Sequence, residues 1–365
     1  MDDDARQAPR SGPSRRQFVA GSAAALALRA SSALADAGGG MTDPLALVAP
    51  ELRDAARIVL DQARAFGPLD ATSLPRLRTL AAGKMVEPEP DVPIAEHRIA
   101  VRAIGGEVVV YVVNARPGLA RPGILHTHGG GFVVDSARAE RRLLQGIARD
   151  LDCTIVSVEY SLAPEARYTR SIEENHAGLV WLYDNAAALG VDRARIAVMG
   201  ESAGGGHAAL LAIAARDRGT VPLVFQALVY PMLDDRTGSG RDPAPGLGRI
   251  GWDGPSNRFG WAAFLGTAPG SADVPRAAVP ARTASLAGLA PAFIAVGGLD
   301  LFLHEDVDYA LRLTDAGVPV QLLVTPGAFH GFDRAAPDAT LSRQFIAAKL
   351  DALRRAFATG VGPAS

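Results

Sequence analysis

The stretch VMGESAGGGHAALL, residues 198–211, sets one serine among four glycines, where a β-like run gives way to a helix-like one. Within it, Gly200-Glu201-Ser202-Ala203-Gly204 fits the pattern G-x-S-x-G, between the run IAVMG and the helix-like SAGGGHAALLAIAARD. A sharp strand-to-helix turn of this kind forces its serine into a strained backbone conformation and exposes the hydroxyl above a sheet. Neighbouring side chains would collide there. Gly200 and Gly204 leave room for the turn, and Gly205 and Gly206 let the helix pack close to the sheet. The hydroxyl also sits at a helix N-terminus, which favours developing negative charge.

Outward from this turn, short apolar runs alternate with helical stretches. The runs are EVVVYVV (107–113), GILHTH (123–128), CTIVSVEY (153–160), IAVMG (196–200), LVFQALVYP (223–231), AFIAVGG (292–298) and VQLLVTP (320–326). Helices are expected over 137–150, 171–188, 202–216, 304–316 and 340–358. Continuous apolar strands alternating with helices imply an α/β fold, with a mostly parallel sheet covered on both faces. Residues 46–83 have helical periodicity. Residues 234–290, rich in Gly, Pro and Trp, break the alternation and read as an insertion.

A serine hydroxyl needs a base, and the base needs an orienting group. In a turn-and-sheet arrangement of this type the order is Ser, acid, His, with each at the C-terminal end of a strand. Asp300 ends AFIAVGGLD, and His330 follows VQLLVTP within PGAFHGF. Ser202 is the expected nucleophile, His330 the base and Asp300 the orienter. Glu305, Asp306 and Asp308 are rival acids, but they fall in the following helix, where a solvated face is expected. Among the other histidines, His97 falls in a polar lead-in to a strand, and His176 and His304 read as structural or surface. His207 lies on the Ser202 helix, turned away from the serine, and is expected to pack or hydrogen-bond.

A second glycine run, LHTHGGGFVVDS (125–136), follows the run GILH. Acyl transfer builds an oxyanion, and preorganised backbone N–H groups are the usual way to receive it. His128-Gly129-Gly130-Gly131 has the HGGG form of such a loop, whose donors would join the N–H of Ala203. His128 is expected to order the loop by hydrogen bonding. A phosphate-binding loop is excluded by the lack of its glycine–lysine or G-x-G-x-x-G pattern in strand–helix context.

The chain of 365 residues carries a net charge of −2, which gives no electrostatic reason to expect nucleic acid or an anionic membrane as partner. Metal-spaced Cys/His clusters are lacking, and no metal or organic cofactor is expected. Cys153 is the only cysteine, so an intramolecular disulfide is impossible; a buried, inert thiol is expected. At the N-terminus, SRRQFVAGSAAALALRASSALA pairs Arg15 and Arg16 with a small-residue apolar stretch and an Ala-Leu-Ala end at Ala33–Ala35. This is the form of a twin-arginine-like export signal over residues 1–35. The competing readings are a tail without structure, or translation beginning at Met41.

With these residues in place, the chain resembles the hormone-sensitive-lipase-like family of α/β-hydrolase esterases over roughly residues 85–357. The resemblance rests on HTHGGGF, VEYSLAPE (158–165), GESAGGG, YPMLDDR (230–236), SNRFGWAAFLG (256–266), GLDLFLHEDVDYA (298–310) and PGAFHGF (326–332). It implies an α/β-hydrolase domain over 98–358, and a cap built from the N-terminal part (36–97) and an insertion at 234–285. It also implies oxyanion donors at Gly130, Gly131 and Ala203. Two departures are His304, where an acidic residue is common, and His207, where an aliphatic one is. The implied activity is hydrolysis of a small carboxylic ester of short to medium acyl chain, with an amidase or deacetylase using the same residues as the near alternative. A non-catalytic binding protein is the other class; hormone receptors on this scaffold have lost the histidine that His330 retains. The family contains monomers and dimers, and the sequence does not choose. Trp252, Phe259 and Trp261 are candidates for either core or acyl site.

Overall fold

The apolar runs form one eight-stranded sheet in a computed structural model that describes residues 43–83 and 86–359. The strands are β1 (Ile94–Ala100), β2 (Glu107–Val113), β3 (Arg121–Thr127), β4 (Thr154–Glu159), β5 (Val191–Glu201), β6 (Phe225–Val229), β7 (Ala292–Gly297) and β8 (Val320–Thr325). Their order across the sheet is β1-β2-β4-β3-β5-β6-β7-β8. β2 is antiparallel to both β1 and β4; every pairing from β4 to β8 is parallel. The export signal expected over residues 1–35 lies outside the described residues.

Position in the sheet explains the sequence patterns. The central strands are buried on both faces, and Ala197, Val198 and Met199 of β5 are fully buried, so they read as unbroken apolar runs. The edges differ. β1 is IAEHRIA, almost wholly exposed, with only Ile99 buried. Its polarity hid it from apolar-run reading: the sheet starts at Ile94, and His97 lies inside a strand rather than in a lead-in to one. His97 is exposed, as expected, and its ring approaches Trp181. At the other edge, β8 leaves Leu322 and Val324 partly exposed.

The helix Ala203–Arg218 packs on β5 and β6 and against the helix Tyr168–Asp184. Most of its residues from Ala203 to Ala215 are buried, so it is small and apolar all round rather than striped. Its glycines sit where nothing larger fits. A β-carbon on Gly206 would come within 2.3 Å of the Met232 carbonyl oxygen, and one on Gly205 within 2.8 Å of Pro231. Two helices precede the sheet, Arg53–Phe66 and Leu74–Gly83, and the link from β6 to β7 carries the helix Gly254–Leu265. Trp261 and Phe264 of that helix join Phe132, Met232 and Phe302 in a second hydrophobic cluster.

Candidate active site

Four loops leave the C-terminal ends of β3, β5, β7 and β8 and converge. The turn after β5 carries Ser202 at φ 57° and ψ −122°, a strained conformation for a residue with a side chain. The turn is pinned on both sides: the Ser202 N–H donates to the Val229 carbonyl at 2.9 Å, and its own carbonyl accepts from Met232 N–H at 2.9 Å. A β-carbon on Gly200 would lie 2.2 Å from the Gly204 oxygen, and one on Gly204 2.1 Å from the Thr127 oxygen. The space expected of both glycines is therefore required by the turn itself.

The β7 and β8 loops are stitched together. Gly298 N–H donates to Thr325 at 2.7 Å, and Leu299 N–H to Ala328 at 2.9 Å. This places Asp300 and His330 side by side. His330 Nδ1 lies 2.8 Å from Asp300 Oδ2, and His330 Nε2 lies 3.0 Å from Ser202 Oγ. Asp300 is fully buried, and its other oxygen accepts the Phe302 N–H at 2.9 Å. The His330 ring is held edgewise between Tyr230 and Phe302. A chain Ser–His–carboxylate with both contacts at hydrogen-bond length can move a proton from the hydroxyl to the imidazole, with the carboxylate fixing the tautomer.

The β3 loop passes beside the serine, where Gly130 and Gly131 take positive φ values of 104° and 59°. Among the described residues, the N–H groups of Gly130, Gly131 and Ala203 donate to no protein acceptor. His128 orders this loop as expected: Nδ1 lies 2.9 Å from the Gly129 oxygen, and the ring stacks on Tyr160, whose hydroxyl donates to the His128 carbonyl at 2.8 Å. Beside the loop opens a cleft of about 770 Å³. Its walls include Leu60, Phe66, Leu77 and Leu80 from the two N-terminal helices and Ile250 and Trp252 from the insertion. Trp252 lies between the cleft and Gly131; of the three aromatics in question it is the one on the cleft, whereas Trp261 is core and Phe259 packs half-buried against that core.

A family described as alpha/beta hydrolase fold matches residues 124–334. The chain belongs to that family. It is 33% identical over 334 residues to the carboxylesterase NlhH of Mycobacterium tuberculosis, covering 87% of this chain and 99% of that one. It is 34% identical over 221 residues to an ethyl acetate hydrolase of Pseudomonas putida, covering 60% of this chain and 68% of that one. Among solved structures, a bacterial heroin esterase superposes with a TM-score of 0.77 at 33% identity, covering 86% of this chain and 99% of that chain. The hormone-sensitive-lipase-like motifs thus sit on the fold and among the relatives they imply.

Behind the serine, this α/β hydrolase holds a buried charge network that the sequence did not reveal. Glu201 Oε2 lies 3.0 Å from His126 Nε2 and 3.8 Å from an Arg334 nitrogen, and Oε1 lies 3.4 Å from Lys349 Nζ. Burial alone would push the Glu201 carboxyl up, but the charges of His126, Lys349 and Arg334 outweigh it and hold the group well below its ordinary range. His126 also contacts Ser157 Oγ at 2.9 Å, and Arg334 grips Glu140 with contacts of 2.8 and 2.9 Å. Glu201 and His126 stood in the quoted motifs; Lys349 and Arg334 arrive from helices distant in sequence, with no local signal.

Two expectations about the rival acids need correction. Glu305 and Asp306 are not on a solvated face: they are 2% and 0% exposed. Glu305 accepts the N–H groups of Leu233 and Asp234, and so anchors the chain leaving β6. Burial raises the pKa of both well above the ordinary carboxylate range. Asp308 is exposed and pairs with Arg241, as a solvated helix residue would. His207 packs, as expected, against Phe132, Tyr160 and Phe264, but neither ring nitrogen has a partner among the described residues, and burial lowers its pKa to about 3. His304 is exposed and His176 contacts Thr220 Oγ1. Cys153 is fully buried, and burial pushes its thiol up to about 12. No helix among the described residues is long and apolar enough to cross a membrane.

Proposed function

We propose that the protein is a serine carboxylesterase that hydrolyses short to medium acyl esters through an acyl-enzyme on Ser202. The observation that carries this is the continuous Ser202–His330–Asp300 contact chain, 3.0 Å then 2.8 Å, with the serine on a strained turn. The esterase class rests on the family and on relatives that are esterases.

In acylation, Ser202 Oγ attacks the ester carbonyl carbon while its proton passes to His330 Nε2. Asp300 steadies the resulting imidazolium. The carbonyl oxygen gains charge and is received by the N–H groups of Gly130, Gly131 and Ala203, which have no competing protein acceptor. Collapse of the tetrahedral adduct breaks the ester C–O bond, and His330 gives its proton to the departing alkoxide. Water then repeats the sequence on the acyl-enzyme and releases the acid. The apolar cleft roofed by residues 53–83 and the 234–285 insertion acts as the cap pocket that receives part of the ester. Export through the twin-arginine-like segment belongs to the same proposal, and cell fractionation of the full-length chain tests it.

The deciding experiment is hydrolysis of p-nitrophenyl esters from acetate to laurate by wild type and Ser202→Ala. Ester release that falls to background in the variant, with rates dropping off at long acyl chains, supports the reading. A wild type inert on every ester while folded sinks it.

A further inference from the structure

One side chain in the cleft has no role in the chemistry above. Asp135 lies just past the glycine loop with φ 72°, in the left-handed region that residues bearing side chains seldom occupy. Strain of this kind persists where the surroundings over-determine it, and an observed outlier is a fair starting point for function. The geometry around it is specific. A β-carbon built on Gly130 would lie 3.0 Å from the Asp135 Cβ, so the carboxyl-bearing side chain abuts a proposed oxyanion donor. Asp135 also lines the cleft, where Glu140, Arg334, Arg64, Arg249 and Asp253 join the apolar walls.

Its hydrogen bonding is half complete. Oδ1 accepts the Ser136 N–H at 2.8 Å; Oδ2 meets no protein donor among the described residues. The nearest guanidinium is already engaged, because Arg334 is held by Glu140 and approaches Glu201. No Lys or Arg nitrogen among the described residues lies within 4.0 Å of Asp135. The result is a half-buried carboxylate beside the glycine loop, with one oxygen that accepts no hydrogen bond from the protein and no Lys or Arg within ion-pair distance among the described residues.

We propose that Asp135 is a specificity-determining residue that binds a protonated amine carried by the ester, so that the cleft selects amino esters over neutral esters of the same shape. The proposal rests on the esterase reading and deepens it by naming the substrate class. An ammonium group supplies the missing donor and the missing charge together, and a partly desolvated charge-assisted hydrogen bond of this kind is worth about 10- to 100-fold in binding. The neutral walls formed by Leu60, Phe66 and Leu77 accommodate the hydrocarbon part. Arg249 also lines the cleft and would favour an anionic ester instead, but it is exposed, where water and salt weaken such a contact.

Protonation of Asp135 would abolish the effect. Burial first, and then the charge of Glu140, push its carboxyl up to about 6, against the Ser136 N–H and the opposing pull of Arg334 and His126; Asp135 in turn raises the carboxyl of Glu159. Selectivity for amino esters therefore grows as pH rises through about 6.

The test compares kcat/KM for acetates of ω-dimethylamino alcohols, two to six carbons long, with the corresponding terminal isopropyl esters, which are neutral isosteres. A second set carries the dimethylamino group on the acyl side of p-nitrophenyl esters, and a third carries a carboxylate. The readout is the ratio of charged to neutral substrate, so a general loss of activity cancels. The expected result is a ratio of about tenfold or more at pH 8 for at least one chain length in one of the amino sets, collapsing towards one in both Asp135→Asn and Asp135→Gly. Glycine suits the left-handed backbone and guards against a misfolded asparagine variant. A wild-type ratio near one in both amino sets, a ratio that survives both substitutions, or a preference for the carboxylate set overturns the proposal. Ser202-dependent hydrolysis of p-nitrophenyl acetate, run in parallel, separates the two readings: its presence without amine selectivity overturns this inference alone, and its absence overturns both.

Discussion

The Trp252 ring lies so close over Gly131 that a β-carbon on the glycine would sit 2.2 Å from the tip of the indole. The ring is tethered there by its Nε1–H, which donates to Asn257 Oδ1 at 3.1 Å. One residue thus closes the cleft against the backbone proposed to hold the oxyanion.

Gly131→Ala is therefore expected to push Trp252 aside and to strain a backbone at φ 59°, at a cost of about 1–2 kcal/mol for the left-handed conformation alone. The outcome is a kcat on p-nitrophenyl acetate at least tenfold lower. Adding Trp252→Ala removes the collision but not the strain, so the double variant recovers part of the lost rate. Equal activity of the single variant and wild type would show that the Gly131 N–H is not used.

Asp300→Asn tests the orienting role. An amide keeps the shape but presents its own N–H or carbonyl to His330 Nδ1, so the imidazole is no longer fixed as the tautomer that accepts from serine. The expected loss is about 10³- to 10⁴-fold in kcat, with KM changed far less. Thermal melting checks that the variant is folded. A loss under tenfold would point to one of the buried neighbours, Glu305 or Asp306, as the working carboxylate.

The legible part of this molecule was the part with a short-range cause. The strands from β3 to β7 showed themselves because burial on both faces demands continuous apolar runs, and the placement of Ser202, Asp300 and His330 just past strands was legible because each follows an apolar run. β1 was hidden because its exposed residues include the polar Glu96, His97 and Arg98, whereas the other edge strand, β8, keeps an apolar run even though Leu322 and Val324 are exposed. Glu305 and Asp306 were misjudged because a carboxylate inside a helix is expected on its solvated face, while here the chain leaving β6 folds over them and donates two backbone N–H groups to Glu305. The Glu201 network was out of reach: Lys349 is 148 residues from its partner, and only the fold brings the two together.

Arg78 ties the helix Leu74–Gly83 to the glycine loop. Its side chain donates to the carbonyls of Val133 and Ala163, both at 2.8 Å, and pairs through two nitrogens with Glu165. The same helix supplies Leu77 and Leu80 to the cleft. Arg78→Ala is expected to loosen that wall, raising KM for butyrate and longer esters several-fold while kcat on acetate falls less. Glu165 is 64% exposed, so its share of the effect is small, and Glu165→Ala should change KM little. If both substitutions act equally, the ion pair and not the carbonyl contacts holds the helix.

Glu201→Gln probes the buried network behind the nucleophile. The substitution keeps the shape but leaves Lys349, Arg334 and His126 facing a neutral amide. Removing one partner from a buried ion pair typically costs about 3–5 kcal/mol, because the opposite charge stays desolvated. Urea unfolding at pH 7.5 should show a loss in that range. The pH dependence has a definite sign. Glu201 is held below its ordinary value of 4.5, so the native state binds fewer protons there than the unfolded chain does. Its stabilisation is complete above about pH 4.5 and is lost as pH falls through the lower folded value. Wild type should therefore lose stability more steeply than Glu201→Gln on acidification below the ordinary carboxylate range, and the gap between the two should narrow. Parallel acid-unfolding curves, or a loss under 1 kcal/mol at pH 7.5, would mean that the cations are satisfied by Glu140 and solvent instead of by Glu201.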